Sequence, residues 1–260
     1  MNFDFKTRRR VFYRLLVLQA TWSFERMQGL GFAWAMQPHL ERLNPTQEGL
    51  RKALERHSEY FNTQPYVASL IVGLVCRLEE QAAALPEGER ETVYQRISML
   101  KKAMGASLAG MGDAFFWTAM RPAAAACALL AGLAAVKLGP TRAGLAMAGT
   151  YLVAYNVPAL WLRWRGIGLG YDWGEQLPAR LKSLDVQGLV RRVRATGTLL
   201  AVFLFAAAAA QAGRGQALLG TIAAVAFWTV YRAFPKRVNA MRLYGGTCAA
   251  GLLAACARLI

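Results

Sequence analysis

From residue 123 onward the chain holds five long stretches without a charged side chain, at 123–136, 143–162, 196–212, 215–231 and 243–257. A helix that crosses the hydrocarbon core of a bilayer needs about 20 apolar residues. Only 143–162 reaches that length cleanly. The other runs therefore predict helices that are short, tilted or shielded by partner helices. Two earlier segments, 66–76 and 103–120, are shorter or are interrupted by Asp113. They suit re-entrant hairpins, because irregular backbone survives at membrane depth only when it is enclosed by protein.

Charge is distributed to match. Residues 1–100 carry 13 basic and 11 acidic side chains, residues 101–260 carry 18 basic and 4 acidic, and the whole chain has a net charge of +16. Seven basic residues fall between 163 and 194 and four between 232 and 242. The intervening connections hold only Lys137 and Arg142 in one case and Arg214 in the other. The positive-inside bias then puts 163–194 and 232–242 in the cytoplasm and the C-terminus outside. Basic residues flank apolar runs instead of lining one helical face with aromatic partners, which argues against nucleic-acid binding. Cys76, Cys127, Cys248 and Cys256 form no CxxC pair, and His39 and His57 are the only histidines. No metal, redox or other cofactor site is expected from that inventory.

Lys6 to Arg10 followed by Val11 to Leu18 resembles the start of a signal peptide. Arg14 interrupts the run, and no small-residue cleavage site precedes Glu25-Arg26, so residues 4–20 are expected to form an amphipathic helix on the cytoplasmic membrane face. Residues 46–60 and 89–102 read as polar helices, separated by a turn at Pro86-Glu87-Gly88. The segment 172–195 reads as a surface helix or helix pair.

Three clusters place polar groups in apolar, glycine-rich surroundings. The first is Trp22-Ser23-Phe24-Glu25-Arg26-Met27-Gln28-Gly29-Leu30-Gly31-Phe32. Glu25 and Arg26 either form ordinary packing salt bridges or serve a ligand, and Gln28 has the donor and acceptor needed to recognise a hydroxyl. The second is Arg56-His57-Ser58-Glu59-Tyr60-Phe61-Asn62-Thr63-Gln64-Pro65. The proline pushes its predecessor out of helical geometry. The resulting turn either simply ends a helix or offers Asn62 and Thr63 to a cavity, as broken helices do in carriers. The third is Leu108-Ala109-Gly110-Met111-Gly112-Asp113, continued by Phe116-Trp117 and Arg121-Pro122. Gly110 and Gly112 lack the preceding strand and third glycine of a dinucleotide fingerprint. Asp113 is costly in an apolar stretch unless it pairs with Arg121 or faces a polar cavity.

In this order the clusters, with Leu78-Glu79-Glu80, resemble the IID component of the mannose/fructose/sorbose family of bacterial phosphotransferase systems. Weaker similarity continues through Tyr155-Asn156, Gly166, Gly170-Tyr171 and Lys236-Arg237-Val238-Asn239. The resemblance implies an all-α, polytopic integral membrane protein of the bacterial inner membrane, with an amphipathic N-terminal helix, re-entrant helical hairpins and several transmembrane helices. It implies a motif-bearing region 1–122 and a transmembrane region 123–260 acting as one unit, with the N-terminus cytoplasmic. The partners implied are a IIC membrane subunit, the cytoplasmic phosphocarriers IIA and IIB, a hexose and the bilayer. The IID chain itself carries no phosphorylation site in that family. Glu25, Arg26, Gln28, Asn62, Thr63 and Asp113 match motif positions and are carried over as residues lining or bracing the sugar path.

Two departures point to a different possibility. The family has Met-Gly-Pro before Leu-Ala-Gly and a proline after Gly-Asp, where this chain has Gly105-Ala106-Ser107 and Ala114. The family's longer insertion between the last helices is reduced here to Gln211–Gln216. The alternative function is a diverged scaffold or regulatory subunit that binds IIC without moving sugar.

Overall fold

The computed structural model describes residues 4–211, which are mostly helical. The apolar runs at 215–231 and 243–257 and the basic stretch 232–242 lie outside the described residues. By internal contacts the chain divides into residues 1–202 and 203–260, and the packing described below belongs to the first unit.

Helix α1 (Phe5–Leu15) starts at Asp4, whose carboxylate accepts the backbone N–H groups of Lys6 and Thr7 at 3.3 and 3.1 Å. Thr7, Val11, Leu15 and Leu18 are buried along one stripe, while Lys6, Arg9 and Arg10 are exposed. The stripe packs on α2 (Gly29–Leu43), where a Cβ at Gly31 would lie 2.0 Å from the Leu18 carbonyl oxygen. Helix α3 (Gln47–His57) is capped by Thr46, whose hydroxyl accepts from Gly49 N–H at 3.1 Å.

The central element is α4 (Ala68–Ala83), buried along most of its length. It lies against α7 (Pro140–Trp173) at backbone contact. A Cβ at Gly73 would lie 2.0 Å from the Ile167 carbonyl oxygen, and one at Gly170 would lie 1.9 Å from that of Leu70. Small residues thus let the two backbones touch, the usual solution for helices that meet in lipid.

Between them the chain forms α5 (Arg90–Phe115), a π turn at Phe116–Met120 and α6 (Arg121–Ala135) without leaving helical geometry. The re-entrant hairpin expected over 103–120 is therefore absent. Ser107 and Ala114, which stand where the family has its prolines, keep their N–H groups, and nothing in 90–115 interrupts the hydrogen-bond ladder. The ladder changes register only at the π turn, so Pro122 falls in the first turn of α6, where its missing donor is tolerated. Gly139, at φ 100°, reverses the chain between α6 and α7 with a conformation that L side chains rarely adopt. The surface segment expected at 172–195 comprises the end of α7, the short α8 (Leu177–Ser183) and the start of α9 (Val186–Gln211).

Two continuous helical stretches, Glu87–Leu138 and Pro140–Ser183, are long and apolar enough to cross a membrane. Only 33% and 11% of their most apolar windows are buried, too little for core helices of a soluble protein. Leu145, Leu152, Val153, Val157 and Trp161 instead present an exposed apolar surface on α7. A leucine at Gly170 would have to separate α4 from α7, so Gly170→Leu should lower stability by at least ~1–3 kcal/mol. Thermal unfolding of the purified protein in detergent would show the loss as a lower Tm.

Candidate functional site

The loop after α1 closes on itself. Met27 N–H donates to the Ser23 carbonyl at 2.8 Å and Ser23 N–H returns a bond to Met27 at 3.3 Å. This turn requires φ +50° at Met27, the one non-glycine residue with positive φ among those described. The first two motifs then pair side by side. Gln28 N–H donates to the Phe61 carbonyl at 2.8 Å, and Phe61 N–H donates to that of Arg26 at 3.3 Å. The Gln28 side chain continues the register: its Nε2 donates to the Thr63 carbonyl at 2.8 Å, and its Oε1 accepts Thr63 N–H at 3.1 Å. Gly29 permits this pairing, since a Cβ there would lie 2.2 Å from the Glu59 carbonyl oxygen.

A buried ionic cluster supports the same turn from behind. Glu79 on α4 accepts a bond from Arg56 on each oxygen, both at 2.9 Å, and lies 2.9 Å from His57 Nε2. The Arg56 guanidinium also stacks over Tyr94, 3.6 Å from the ring centroid. Burial raises the pKa of the Glu79 carboxyl, but the His57 hydrogen bond and the Arg56 charge outweigh it and hold the group below the ordinary carboxylate range. Burial lowers the pKa of His57 against the opposing pull of Glu79. At neutral pH the ring is therefore neutral, with Nε2–H donating to the carboxylate.

On α5, Lys101 is 1% exposed; its Nζ is 3.3 Å from Glu59 and 3.4 Å from the His57 carbonyl oxygen. It lies over Phe32, 4.6 Å from the ring centroid. Glu59 also accepts from Ser98 at 2.9 Å and pairs with Lys102 at 3.5 Å.

In front of this cluster is a pocket of about 220 Å³, with Tyr60, Phe61 and Asn62 on the turn and Lys101, Lys102 and Gly105 on α5 among its lining residues. Asn62 is exposed, and its side-chain amide has no hydrogen-bond partner among the described residues. The turn thus offers an unoccupied donor and acceptor beside aromatic rings and ammonium groups.

The six residues expected at the site divide by environment. Gln28 and Thr63 are buried and bonded to one another, with Thr63 Oγ1 lacking a partner among the described residues. Asn62 faces the pocket. Glu25 and Arg26 are exposed on the loop beside Phe24, which is 86% exposed, and their side chains make no ion pair among the described residues. Asp113 is exposed on α5 and does not pair with Arg121, whose guanidinium lies over Trp117 at 4.2 Å. Lys101 and Glu79 were not singled out from the sequence. The only signal for Glu79 is its place in the Leu78-Glu79-Glu80 match, and Lys101 sits in a polar helical segment that reads as solvated.

A sequence profile for the mannose/fructose/sorbose family IID component of phosphotransferase systems matches residues 2–212. The chain belongs to that family. The IID chain is 35% identical to the mannose-specific EIID component of Escherichia coli over 206 residues, covering 76% of this chain and 65% of that one. It is 33% identical to the sorbose-specific EIID component of Lacticaseibacillus casei over 187 residues, covering 72% and 60%. The matched region is thus slightly under two thirds of either relative's length. Among solved structures, a chain described as a membrane protein aligns with a TM-score of 0.69 and 27% identity over 98% of each chain. A chain from the cryo-EM structure of the mannose transporter ManYZ with a microcin aligns with a TM-score of 0.56 and 26% identity, covering 98% of this chain and 97% of that one. The chain is accordingly a membrane protein of the phosphotransferase system, with helices and no extended strands among its described residues.

The Gln28–Thr63 pair is expected to stabilise the fold. Gln28→Ala strands two buried backbone groups and should cost ~1–3 kcal/mol for each, read as a lower Tm in detergent. The ionic cluster should make the protein acid-labile. An unfolded chain protonates His57 at about pH 6.5 and Glu79 at about 4.3, whereas the folded chain resists both. Their stabilisation is therefore complete above pH ~6.5 and declines as the pH falls through the two windows. A series of Tm measurements against pH should show both steps, and His57→Gln should remove the upper one.

Proposed function

We propose that the IID chain pairs with a IIC membrane subunit to bind and translocate a hexose, which IIB phosphorylates during uptake with phosphoryl groups passed on by IIA. The motif-bearing region 1–122 and the transmembrane region 123–260 act as one unit in the inner membrane, with the N-terminus cytoplasmic and the C-terminus outside. Helix α1 lies on the cytoplasmic membrane face, its basic side chains toward the headgroups. In this reading Asn62 touches sugar hydroxyls, Gln28 and Thr63 brace its turn, and Glu25, Arg26 and Asp113 meet the partner subunit or the rim of the sugar path.

The observation that carries this reading is the pocket at Asn62: a free amide between aromatic rings and ammonium groups, held by residues of both long motifs. Aromatic faces and planar amides are the groups that recognise a sugar's C–H faces and hydroxyls. Pairing with IIC is supported by the likeness to a chain of ManYZ and by the exposed Trp22 and Phe24 beside unpaired Glu25 and Arg26, a composition typical of interface anchors. The unbroken α5, which lacks the family's prolines, favours the second reading, a scaffold that binds IIC without transport.

Phosphoenolpyruvate-dependent uptake of labelled mannose, glucose, fructose, sorbose and N-acetylglucosamine, measured in vesicles holding this chain, its IIC partner and the cytoplasmic components, separates the two. Transport predicts accumulation of a phosphorylated sugar, reduced by about tenfold or more in Asn62→Ala as hydrogen bonds to the sugar are lost. A stable IID–IIC complex that takes up none of these sugars supports the scaffold.

A further inference from the structure

Two of the described cations are buried in positions that cost energy, and both hold the turn that carries Asn62. Lys101, on α5, reaches the entry of the turn at the Glu59 carboxylate and the His57 carbonyl, with its ammonium 5.9 Å from the Phe61 ring centroid. Arg163, on α7, is 5% exposed and reaches the exit. Its Nη2 donates to the Pro65 carbonyl at 3.1 Å and its guanidinium lies over Tyr66 at 5.0 Å. Arg163 forms no ion pair with a carboxylate among the described residues, and its Nε has no hydrogen-bond partner there. Desolvation of a buried cation held by one carbonyl and one ring offsets part of what the contacts return. What the arrangement does provide is attachment. Each cation stands on one of the two long apolar helical stretches, and each is bonded to backbone or side chain within four residues of Asn62, on opposite sides of it.

We infer that Lys101 and Arg163 are positioning residues that clamp the Asn62 turn from its two ends to α5 and α7, so that a shift of either helix moves Asn62. Gly105 and Gly112 complete the clamp on the α5 side. A Cβ at Gly105 would lie 3.2 Å from the Asn62 carbonyl oxygen, and one at Gly112 would lie 2.6 Å from the Gln64 Cβ, so the helix abuts the turn with no side chain between. At the exit, Tyr66 also packs against Phe116, with ring centroids 4.7 Å apart. At the entry, Glu59 keeps Lys102 and Ser98 when Lys101 is lost, so loss of one cation loosens the turn without freeing it. The role of the clamp in sugar handling rests on the transport reading, but the clamp itself can be tested without it.

Thr63 is 4% exposed, so a thiol there reacts only when the turn opens, and its rate reports the opening equilibrium. The experiment uses the IID–IIC complex carrying Thr63→Cys, with Cys127, Cys248 and Cys256 replaced by alanine. Cys76, fully buried on α4, is retained as the internal control. Maleimide labelling of each site is followed by mass spectrometry of its peptide. Arg163→Met and Lys101→Met should each raise labelling at position 63 by about tenfold, the value of one lost bond to a charged group, while Cys76 stays at the parent rate. Arg163→Lys, which keeps a donor for the Pro65 carbonyl, should fall between. Parent-like labelling at position 63 in both methionine variants overturns the clamp. An equal rise at position 63 and Cys76 also overturns it, because that marks general loosening. If a methionine variant does not assemble with IIC, Arg163→Lys and Lys101→Gln decide by the same two sites. In the uptake assay with native cysteines, Arg163→Met should raise KM for sugar about tenfold with little change in maximal rate. A parent complex that transports nothing defeats the transport reading and leaves the labelling result to judge the clamp.

Discussion

The contact on which the rest of the fold depends is the approach of α4 to α7 at Gly73, Gly166 and Gly170. Hydrocarbon tails are as apolar as leucine, so burial of apolar surface does little to hold membrane helices together; close backbone packing has to do it. A Cβ at Gly166 would lie 2.2 Å from the Ser69 hydroxyl oxygen, and the neighbouring glycines meet carbonyl oxygens at similarly short range. With α4 held there, Glu79 stands where it can fix the end of α3, and Arg77 reaches the Tyr171 and Asp172 carbonyls at 3.1 and 3.0 Å. The turn that leaves α3 is then anchored on both sides before any ligand is considered.

Much of this was legible in the sequence for a definite reason. Uncharged runs bounded by basic residues marked 123–136 and 143–162, and both lie within helices of the described region, because length and charge are one-dimensional properties. The turn at Asn62 was legible from Asn-Thr-x-Pro, since proline constrains its own neighbours. What remained hidden was every relation between distant residues. Nothing near Gln28 announces that its amide will bond Thr63, 35 residues away. Lys101 belongs to a stretch whose composition reads as solvated, yet its helix is pressed against Phe32 and Phe61 by contacts made elsewhere. Arg121 was the plainest partner for Asp113 in the sequence, with a cavity-facing Asp113 as the alternative, but Trp117 lies nearer the guanidinium along the same helix and takes the cation on its face.

The continuous course of α5 departs from the hairpin over 103–120 that segment length and Asp113 suggest. Where relatives carry prolines this chain has Ser107 and Ala114, which keep their N–H donors. An alanine-rich, glycine-tolerant helix has no reason to break once α4 and the turn lie against it. Gly105 and Gly112 are used for close approach and not for special dihedral angles. The discontinuity is displaced to the π turn at Phe116–Met120, beside Tyr66 and Tyr155. Rearranged helical turns of this kind are common where a helix serves a function.

The first two motifs can now be divided by what each residue is free to do. Gln28 engages both its amide nitrogen and its amide oxygen with the Thr63 backbone, and Thr63 is buried with it. A residue so committed sets position and has little left for a ligand. Asn62, one residue earlier on the turn, has its amide free because its neighbours carry the structural bonds. Glu25, Arg26 and Phe24 are free in a different sense: the strained Met27 turn holds them outward, the two charged side chains without an ion pair among the described residues and the Phe24 ring edge-on to Trp22 at 5.0 Å. Strain of that kind persists only where the surroundings over-determine it, and here the Ser23–Met27 bonds and the Phe61 pairing do so. One loop therefore has two faces, an inner one that aligns Asn62 and an outer one that presents charge and aromatic surface. Met27 stands between them, bonded to Ser23 on one side and flanked on the other by Arg26 and Gln28, which pair with Phe61.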